Sequence, residues 1–177
     1  MIVMYKGRRG CGKTTTLVKD GFNYFKAGWR IYTNMSGLSF PHTKIATKDI
    51  AELHNSRIRD SVILIDEIQA IVSSRRSMRK ENLSFSNFIH EVRKRGIVIL
   101  STTQKVRRVD VDYRDQIDIV VSPKFYPEYP IVEATYIDLT AEDENMDGII
   151  DSFNTIVYDP RQVFNLFDSY EKVKSIN

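Results

Sequence analysis

A glycine-rich run near the start of this 177-residue chain combines the residue types that bind phosphate. Residues 7–14 read GRRGCGKT and fit the pattern G-x-x-x-x-G-K-[ST] between a predicted strand and a predicted helix. In such a loop the backbone N–H groups surround an anionic phosphate, the lysine adds a positive charge, and the hydroxyl coordinates Mg²⁺. A glycine-rich turn before a helix is the structural alternative, and the complete motif in this context favours phosphate binding. The residues predicted to contact a nucleotide are Gly7, Arg8, Arg9, Gly10, Cys11, Gly12, Lys13, Thr14 and Thr15.

A pair of adjacent carboxylates, Asp66 and Glu67, follows the apolar run SVILI. Asp66 can hold a water of the Mg²⁺ shell, and Glu67 can polarise the water that attacks the phosphate. This Walker B arrangement favours hydrolysis over phosphate transfer to a small acceptor. Two acids at a strand end are by themselves an ordinary structural feature, because acids suit a helix N-terminus. With the phosphate loop in the same chain, we assign catalysis to Lys13, Asp66 and Glu67, and metal binding to Thr14 and Asp66.

Short apolar runs alternate with amphipathic segments, which predicts an α/β fold with a mostly parallel central sheet flanked by helices. Predicted strands cover 2–6, 30–34, 61–66, 97–100 and 117–121, with a hairpin at 129–139. Predicted helices cover 13–27, 83–95 and 159–167, with a short helix from 49 that ends before 55. We expect one P-loop ATPase domain over 1–177, in which 1–122 form the nucleotide-binding core and 123–177 complete the domain with strands and a helix.

Polar residues gather at the end of the strand after the carboxylates, where STTQ spans 101–104, and the basic stretch RKRG at 93–96 precedes that strand. Three further pieces are TN-x-x-GL at 33–38, IDE-x-Q at 65–69 and TTQ at 102–104. With the phosphate loop, these motifs make residues 1–122 similar to the FtsK–HerA superfamily of DNA-pumping ATPases. Within it, the chain resembles viral genome-packaging ATPases and the Zot-like ATPases of filamentous phages. The stretch VFNLFDSYE at 163–171 is similar to the end of Zot-like domains.

The resemblance implies a RecA-like P-loop NTPase fold, with ATP as substrate and Mg²⁺ as cofactor. It implies a catalytic role for Gln104, which would sense the γ-phosphate by hydrogen-bonding the phosphate or the attacking water. It also implies that Arg93 reaches the ATP of a neighbouring subunit, which requires a homo-oligomer, in this family a hexameric ring. Asn34 would restrain Glu67 until DNA binds.

A motor that translocates double-stranded DNA is the function that the resemblance implies, with genome packaging into a viral capsid as its expected setting. Zot-like proteins carry a membrane segment after the ATPase domain, and this sequence ends at Asn177 without one. That difference favours packaging, with capsid or portal proteins as partners. The alternatives are a Zot-like phage assembly or export ATPase, a small-molecule or nucleotide kinase, and a nucleotide-binding switch with little catalysis. Glu67 beside Asp66, together with Gln104, argues against the kinase.

Charge and cysteine content narrow the class of protein without deciding the function. Subtracting 23 acidic from 26 basic residues leaves +3, so DNA would be met by local basic clusters rather than by the whole surface. With Cys11 as the sole cysteine and no apolar run long enough to span a membrane, we expect a protein of the reducing cytoplasm, the host cytoplasm if viral, or one associated with the virion. The clusters, which solvated loops would explain equally well, are Arg75, Arg76, Arg79 and Lys80, and Lys105, Arg107 and Arg108.

The acidic stretch 143–154 begins like a calcium-binding EF-hand loop. Asn154 stands where such a loop needs a bidentate glutamate, and no clear helix precedes the stretch. We interpret it as a polar surface turn.

Overall fold

A single sheet organises the molecule. In the computed structural model, which describes residues 1–50, 52–73, 80–140 and 153–168, eight strands pair in the order β3-β2-β4-β5-β1-β6-β7-β8. The strands from β3 to β6 run parallel, whereas β7 and β8 are antiparallel, which confirms the predicted mostly parallel α/β sheet. The bounds are β1 Ile2–Lys6, β2 Arg30–Thr33, β3 Thr43–Lys44, β4 Ser61–Ile65, β5 Ile97–Thr103, β6 Ile119–Tyr126, β7 Ile131–Asp138 and β8 Phe153–Tyr158.

Helices in the described part of the chain connect and cover these strands. None of them is both long enough and apolar enough to cross a membrane. Short 3-10 turns occur at Leu53–Asn55, Ile68–Ala70 and Val106–Arg108. The α-helices are α1 Lys13–Lys26, α2 Thr47–Ile50, α3 Lys80–Glu91, α4 Val111–Arg114 and α5 Arg161–Phe164.

Two apolar layers enclose the central strands, one on each face of the sheet. Along β4 every residue is buried, and successive side chains alternate between the faces. Ile63 belongs to the layer that contains Phe85 and Phe88 of α3. Leu64 belongs to the opposite layer, which contains Leu17 of α1. Burial on both faces explains the uninterrupted apolar run in the sequence and holds the carboxyl end of β4 in a fixed position.

Strands β5 and β6 extend further than the sequence predicts. β5 continues through Thr103 because it pairs with β1 as far as Lys6. β6 starts two residues later than predicted but continues past Pro123 to Tyr126. The proline is tolerated because β1 pairs with β6 only up to Val121, so Pro123 has a neighbouring strand on one side only.

Other predicted segments differ at their ends, among them the short helix predicted from residue 49, which is α2 at Thr47–Ile50 followed by a 3-10 turn at Leu53–Asn55. α3 starts at Lys80 and ends at Glu91 rather than covering 83–95. α5 ends at Phe164 rather than at 167, because Phe167 forms a β-bridge with Leu38 and leaves the helical path. The hairpin predicted at 129–139 lies earlier in the chain, because 131–138 form the single strand β7 and the turn at 127–130 joins it to β6. The EF-hand-like stretch lies mostly outside the described residues, and only its last positions, 153 and 154, belong to β8.

Candidate nucleotide-binding site

Three parallel strands bring the predicted site residues to one edge of the sheet. β5 lies between β1 and β4, and its residues Thr103 and Ser101 pair with Lys6 and Ile65 respectively. The phosphate loop leaves β1 at this edge, the two acids follow β4, and Gln104 follows β5. The topology therefore juxtaposes segments that are far apart in the sequence.

Two glycines allow the phosphate loop to fold closely on its surroundings. Gly7 has φ 148°, and a Cβ at this position would lie 2.6 Å from the sulfur of Cys11. Gly12 has φ 96°, and a Cβ there would lie 3.3 Å from both methyl carbons of Val132. Side chains are strained at these positive φ values as well as crowded, so both positions favour glycine. The loop ends at the N-terminus of α1, whose first N–H groups lack acceptors within the helix and suit an anion.

Lys13 and Thr14 open α1 and make contacts in two directions. Lys13 Nζ donates a 2.8 Å hydrogen bond to the carbonyl oxygen of Arg8 across the loop. Thr14 Oγ1 donates to Asp66 Oδ1 at 3.3 Å, which links the loop to the end of β4. A hydroxyl and a carboxylate are oxygen ligands of the kind that Mg²⁺ prefers, and they lie close enough to share one ion. The residues present therefore fit the predicted metal.

Thr102 joins the two acids to the end of β5. Its Oγ1 donates to Asp66 Oδ1 at 2.8 Å and accepts the backbone N–H of Glu67 at 2.8 Å. Gln104 Nε2 donates to Glu67 Oε1 at 2.8 Å. The geometry therefore places Gln104 beside the predicted general base. Sequence reasoning assigned no role to Thr102, although the TTQ motif contains it.

Glu67 occupies the left-handed region of the backbone map, with φ 58°. A residue other than glycine pays of the order of 1–3 kcal/mol for such a conformation, and the surrounding structure must hold it there. The bond from its N–H to Thr102 and the buried side chain of Ile68 fix the chain on either side. The strain is local to the residue that the sequence assigned to water activation.

Asn34 holds the backbone of Asp66 from the end of β2. Its Nδ2 donates to the Asp66 carbonyl oxygen at 3.1 Å, and its Oδ1 accepts the Asp66 N–H at 2.9 Å. The resemblance implied a restraint on Glu67 instead. In this structure that carboxylate receives its hydrogen bond from Gln104, and Asn34 instead holds the backbone of Asp66, the predicted metal ligand.

Arg93 lies just before the start of β5, at the amino ends of the parallel strands and so at the opposite end from the phosphate loop. It forms an ion pair with Asp118, which also accepts the backbone N–H of Ile2 at 2.6 Å. The Arg93 side chain is 74% exposed. The structure therefore does not gather Arg93 with the other site residues of its own chain, and its role in a neighbouring subunit stays a prediction.

The two basic clusters differ in what the structure describes. Lys105, Arg107 and Arg108 are exposed in the 3-10 turn that directly follows Gln104. Arg75, Arg76 and Arg79 lie outside the described residues, and Lys80 begins α3.

A cavity of about 340 Å³ lies against the phosphate loop and has two unlike sides. Arg8 and Arg9 are exposed on the loop outside its lining. The polar side is formed by Gly10, Gly12, Lys13, Thr14, Thr15 and Asp66. The apolar side is formed by Met35, Phe125, Val132, Pro160, Phe164 and Phe167, and Ser36 and Asp168 complete the lining.

Sequence reasoning missed the apolar side entirely. Its residues come from the β6–β7 hairpin and from the segment around α5, where the elements were hardest to predict. The available signal was a pair of phenylalanines three positions apart, at 164 and 167, in the stretch after Pro160.

A glycine-rich loop joins β1 to α1, and two acids follow β4, which β5 separates from β1 in the sheet. This arrangement defines a P-loop NTPase fold. The chain belongs to the family described as zonular occludens toxin (Zot), whose profile matches residues 1–172. No curated protein sequence matches it. The predicted relationship to Zot-like phage P-loop proteins is therefore confirmed.

Solved structures share this fold. The N-terminal domain of zonular occludens toxin from Neisseria meningitidis aligns with a TM-score of 0.69 at 21% identity, covering 95% of this chain and 98% of that one. The genome packaging NTPase B204 from Sulfolobus turreted icosahedral virus 2 aligns with a TM-score of 0.57 at 18% identity, covering 90% and 97%. The flagellar accessory protein FlaH from Methanocaldococcus jannaschii aligns with a TM-score of 0.54 at 9% identity, covering 78% and 77%. At these identities the likeness shows the fold alone.

Proposed function

We propose that this chain is a phage ATPase that hydrolyses ATP and acts as an oligomeric motor on double-stranded DNA. One observation carries the hydrolytic part: Glu67 is held beside Asp66 by Thr102 and Gln104, at the edge where the phosphate loop begins. A carboxylate in this position can accept a proton from water or from a substrate hydroxyl, so turnover without an added acceptor is what distinguishes an ATPase from a kinase.

The site residues divide the reaction between binding and proton transfer. The first N–H groups of α1 and the ammonium group of Lys13 bind the phosphates, while Thr14 and Asp66 would hold Mg²⁺, which would supply positive charge to the phosphates. The oxygen of a water molecule forms a bond to the γ-phosphorus while the bond between that phosphorus and the bridging oxygen breaks. Glu67 accepts the proton that this water loses. Gln104 holds one carboxylate oxygen of Glu67 and thereby orients the other toward the water.

The DNA-directed part of the proposal is supported by charge near the site. Lys105, Arg107 and Arg108 are exposed immediately after Gln104, so DNA phosphates bound there would lie one turn from the residue that holds Glu67. Phosphate contacts of this kind are independent of base sequence and weaken with salt. Such a turn could couple DNA binding to hydrolysis through Gln104.

Oligomerisation is supported by the position of Arg93. Its exposed side chain lies at the edge opposite its own phosphate loop, where a second copy can reach it. An arginine that stabilises transition-state charge from a neighbouring subunit must lie outside its own site. A ring, with six subunits as the expected number, satisfies this requirement for every copy.

Two settings fit the motor. The likeness to a genome packaging NTPase favours packaging into a capsid, with capsid or portal proteins as partners in the host cytoplasm or on the virion. Membership of the Zot family favours a role in phage assembly or export.

The test is ATP hydrolysis measured with and without double-stranded DNA, at rising protein and salt concentrations. We expect the rate per subunit to rise with protein concentration and with DNA, and the DNA effect to fall with salt. Arg93→Ala should abolish the stimulation by protein concentration, whereas Lys94→Ala, the neighbouring exposed cation, should not. Mixing Arg93→Ala with Glu67→Gln should restore part of the activity, because mixed rings contain sites with both groups.

Three outcomes would contradict the proposal in different places. An ATP hydrolysis rate per subunit that does not change with protein concentration would contradict the proposed ring. A rate that does not change when DNA is added would contradict the proposed motor. Turnover that needs an added phosphate acceptor would identify a kinase.

A further inference from the structure

We propose that the apolar side of the cavity binds the base of the nucleoside triphosphate, and that the base is a purine stacked against Phe125 and Phe164. This inference rests on the proposed function, since it places the base of the same nucleotide whose phosphates occupy the loop. It assigns a binding role to the C-terminal part of the described chain.

One part of the apolar side of the cavity, called the apolar wall below, packs against the phosphate loop. Val132 of β7 is 1% exposed, and its two methyl carbons lie within 3.3 Å of where a Cβ on Gly12 would be. Phe125 lies on the partner strand, paired directly with Val132. The β6–β7 hairpin therefore brings an aromatic side chain to the cavity at a fixed distance from the loop.

The other half of the wall is attached to the loop after β2. The N–H of Ser39 donates to the Leu166 carbonyl oxygen at 2.9 Å, and the N–H of Asp168 donates to the Gly37 carbonyl oxygen at 3.0 Å. These bonds flank the bridge between residues 38 and 167. The segment that carries Phe164 is thus held by backbone bonds in a defined position beside the cavity.

Exposure distinguishes the wall from ordinary core. Phe164 is 55% exposed and Phe125 is 36% exposed, although both line the cavity. Val163, the neighbour of Phe164, is 2% exposed and belongs to the core. Large aromatic side chains left in contact with solvent inside a cavity are suited to a planar apolar ligand that covers them.

The chemistry of the wall points to a base rather than to another apolar group. The cavity continues from the wall into the phosphate loop, so a ligand that fills both must be apolar and planar at one end and anionic at the other. A base stacks on an aromatic ring through its π-face, and this contact tolerates different bases. A purine covers more of the wall than a pyrimidine does. We therefore expect ATP and GTP to bind with similar affinity, and CTP and UTP to bind more weakly.

Inorganic tripolyphosphate provides the decisive probe, because it carries the phosphates without a base. Binding of ATP and of tripolyphosphate, each with Mg²⁺, is measured by calorimetry for the wild-type chain, Phe164→Ala, Phe164→Tyr and Phe153→Ala. Phe153 is 67% exposed in β8 and does not line the cavity, so it is the matched control. We expect Phe164→Ala to weaken ATP binding by about tenfold and to leave tripolyphosphate binding unchanged. Phe164→Tyr keeps the ring and should bind ATP like wild type.

The two proposals fail in distinguishable ways. If wild type binds neither ATP nor tripolyphosphate, the nucleotide site itself is wrong and the base site falls with it. If wild type binds both with equal affinity, or if Phe164→Ala weakens both equally, phosphate binding stands and the base site is overturned. Equal weakening by Phe153→Ala would likewise overturn it.

Discussion

The two sides of the cavity are built by different means. The polar side lies at the carboxyl ends of three buried parallel strands, and its side chains hold one another through hydrogen bonds, as Thr102 does for both acids. The apolar side comes from an antiparallel hairpin and a single helical turn, and Phe164 has no comparable bonds to fix its ring among the described contacts. The comparison suggests that the polar side controls the rate of the chemical step, whereas the apolar side contributes affinity.

Glu67→Gln tests the polar side where we expect the largest effect. The amide keeps the size of the side chain but accepts no proton, so hydrolysis should fall by about 10²–10⁴-fold. Nucleotide affinity should stay within a few-fold of wild type, because in the proposed mechanism Glu67 acts on the attacking water rather than on the nucleotide. Single-turnover hydrolysis and equilibrium binding, measured on the same preparation, separate the two. Glu128→Gln, in the exposed turn of the β6–β7 hairpin, is the control. If Glu67→Gln lowers nucleotide affinity as much as it lowers the hydrolysis rate, the proposed division of roles between the polar and apolar sides is wrong.

Thr102→Val should produce the next largest effect. The change removes the hydroxyl that accepts the Glu67 N–H and donates to Asp66. Loss of such supporting contacts lowers activity or metal affinity by about 10–100-fold. We expect lower kcat and a higher Mg²⁺ requirement, with recovery in Thr102→Ser. Hydrolysis measured across a Mg²⁺ titration reads out both.

Thr103→Val provides the matched control for that change. Thr103 is fully buried next in the chain, and its hydroxyl has no hydrogen-bond partner among the described residues. Removing an unsatisfied buried hydroxyl is neutral or stabilising. Activity should therefore be unchanged in Thr103→Val. If both variants lose activity alike, Thr102 acts through packing rather than through its hydrogen bonds.

The polar side was largely predictable from the sequence because its parts are local. GRRGCGKT and SVILIDE each show in one stretch both the strand and the residues that follow it. Thr102 needed the strand order, since only the placement of β5 between β1 and β4 brings it to the acids. Phe125 and Phe164 are 39 residues apart in the sequence, and their meeting depends on the hairpin and on backbone bonds to residues 37–39. No periodicity in the sequence encodes such contacts.

Gly12→Ala tests the contact between the two sides. An added Cβ would meet Val132 at 3.3 Å and would also be strained at φ 96°, whereas at Gly10 a Cβ meets nothing within 4 Å at φ 76°. We expect Gly12→Ala to be less stable than Gly10→Ala by about 1–3 kcal/mol, since overpacking adds to the backbone strain. Urea unfolding measures the difference. Val132→Ala should recover part of the loss in the double variant, and strict additivity would show that Gly12 and Val132 do not press on each other.

Tyr136→Phe should have the smallest effect, and its distinctive signature is a changed dependence of stability on pH above about 10. Asp20 of α1 accepts hydrogen bonds from the hydroxyl groups of Tyr5 at 2.7 Å and Tyr136 at 2.8 Å, and so ties the helix of the polar side to β7. Burial, with the nearby charge of Asp20, raises the pKa of both tyrosines, and burial raises the pKa of Tyr158 to about 12.

The sign of the pH effect follows from those raised pKa values. Below pH 10, about the pKa of tyrosine in the unfolded chain, the hydroxyl groups are protonated in both states and their full contribution to stability is present. Above that pH the unfolded chain loses protons first, so the free energy of unfolding falls as the pH rises toward the folded-state pKa. Each such tyrosine contributes up to about 1.4 kcal/mol per pH unit to that fall. Urea unfolding between pH 8 and 11.5 should therefore show a shallower alkaline decline in Tyr136→Phe, while Tyr129→Phe, whose ring is 71% exposed, should match wild type. An unchanged decline would mean that the hydroxyl of Tyr136 is not buried against Asp20.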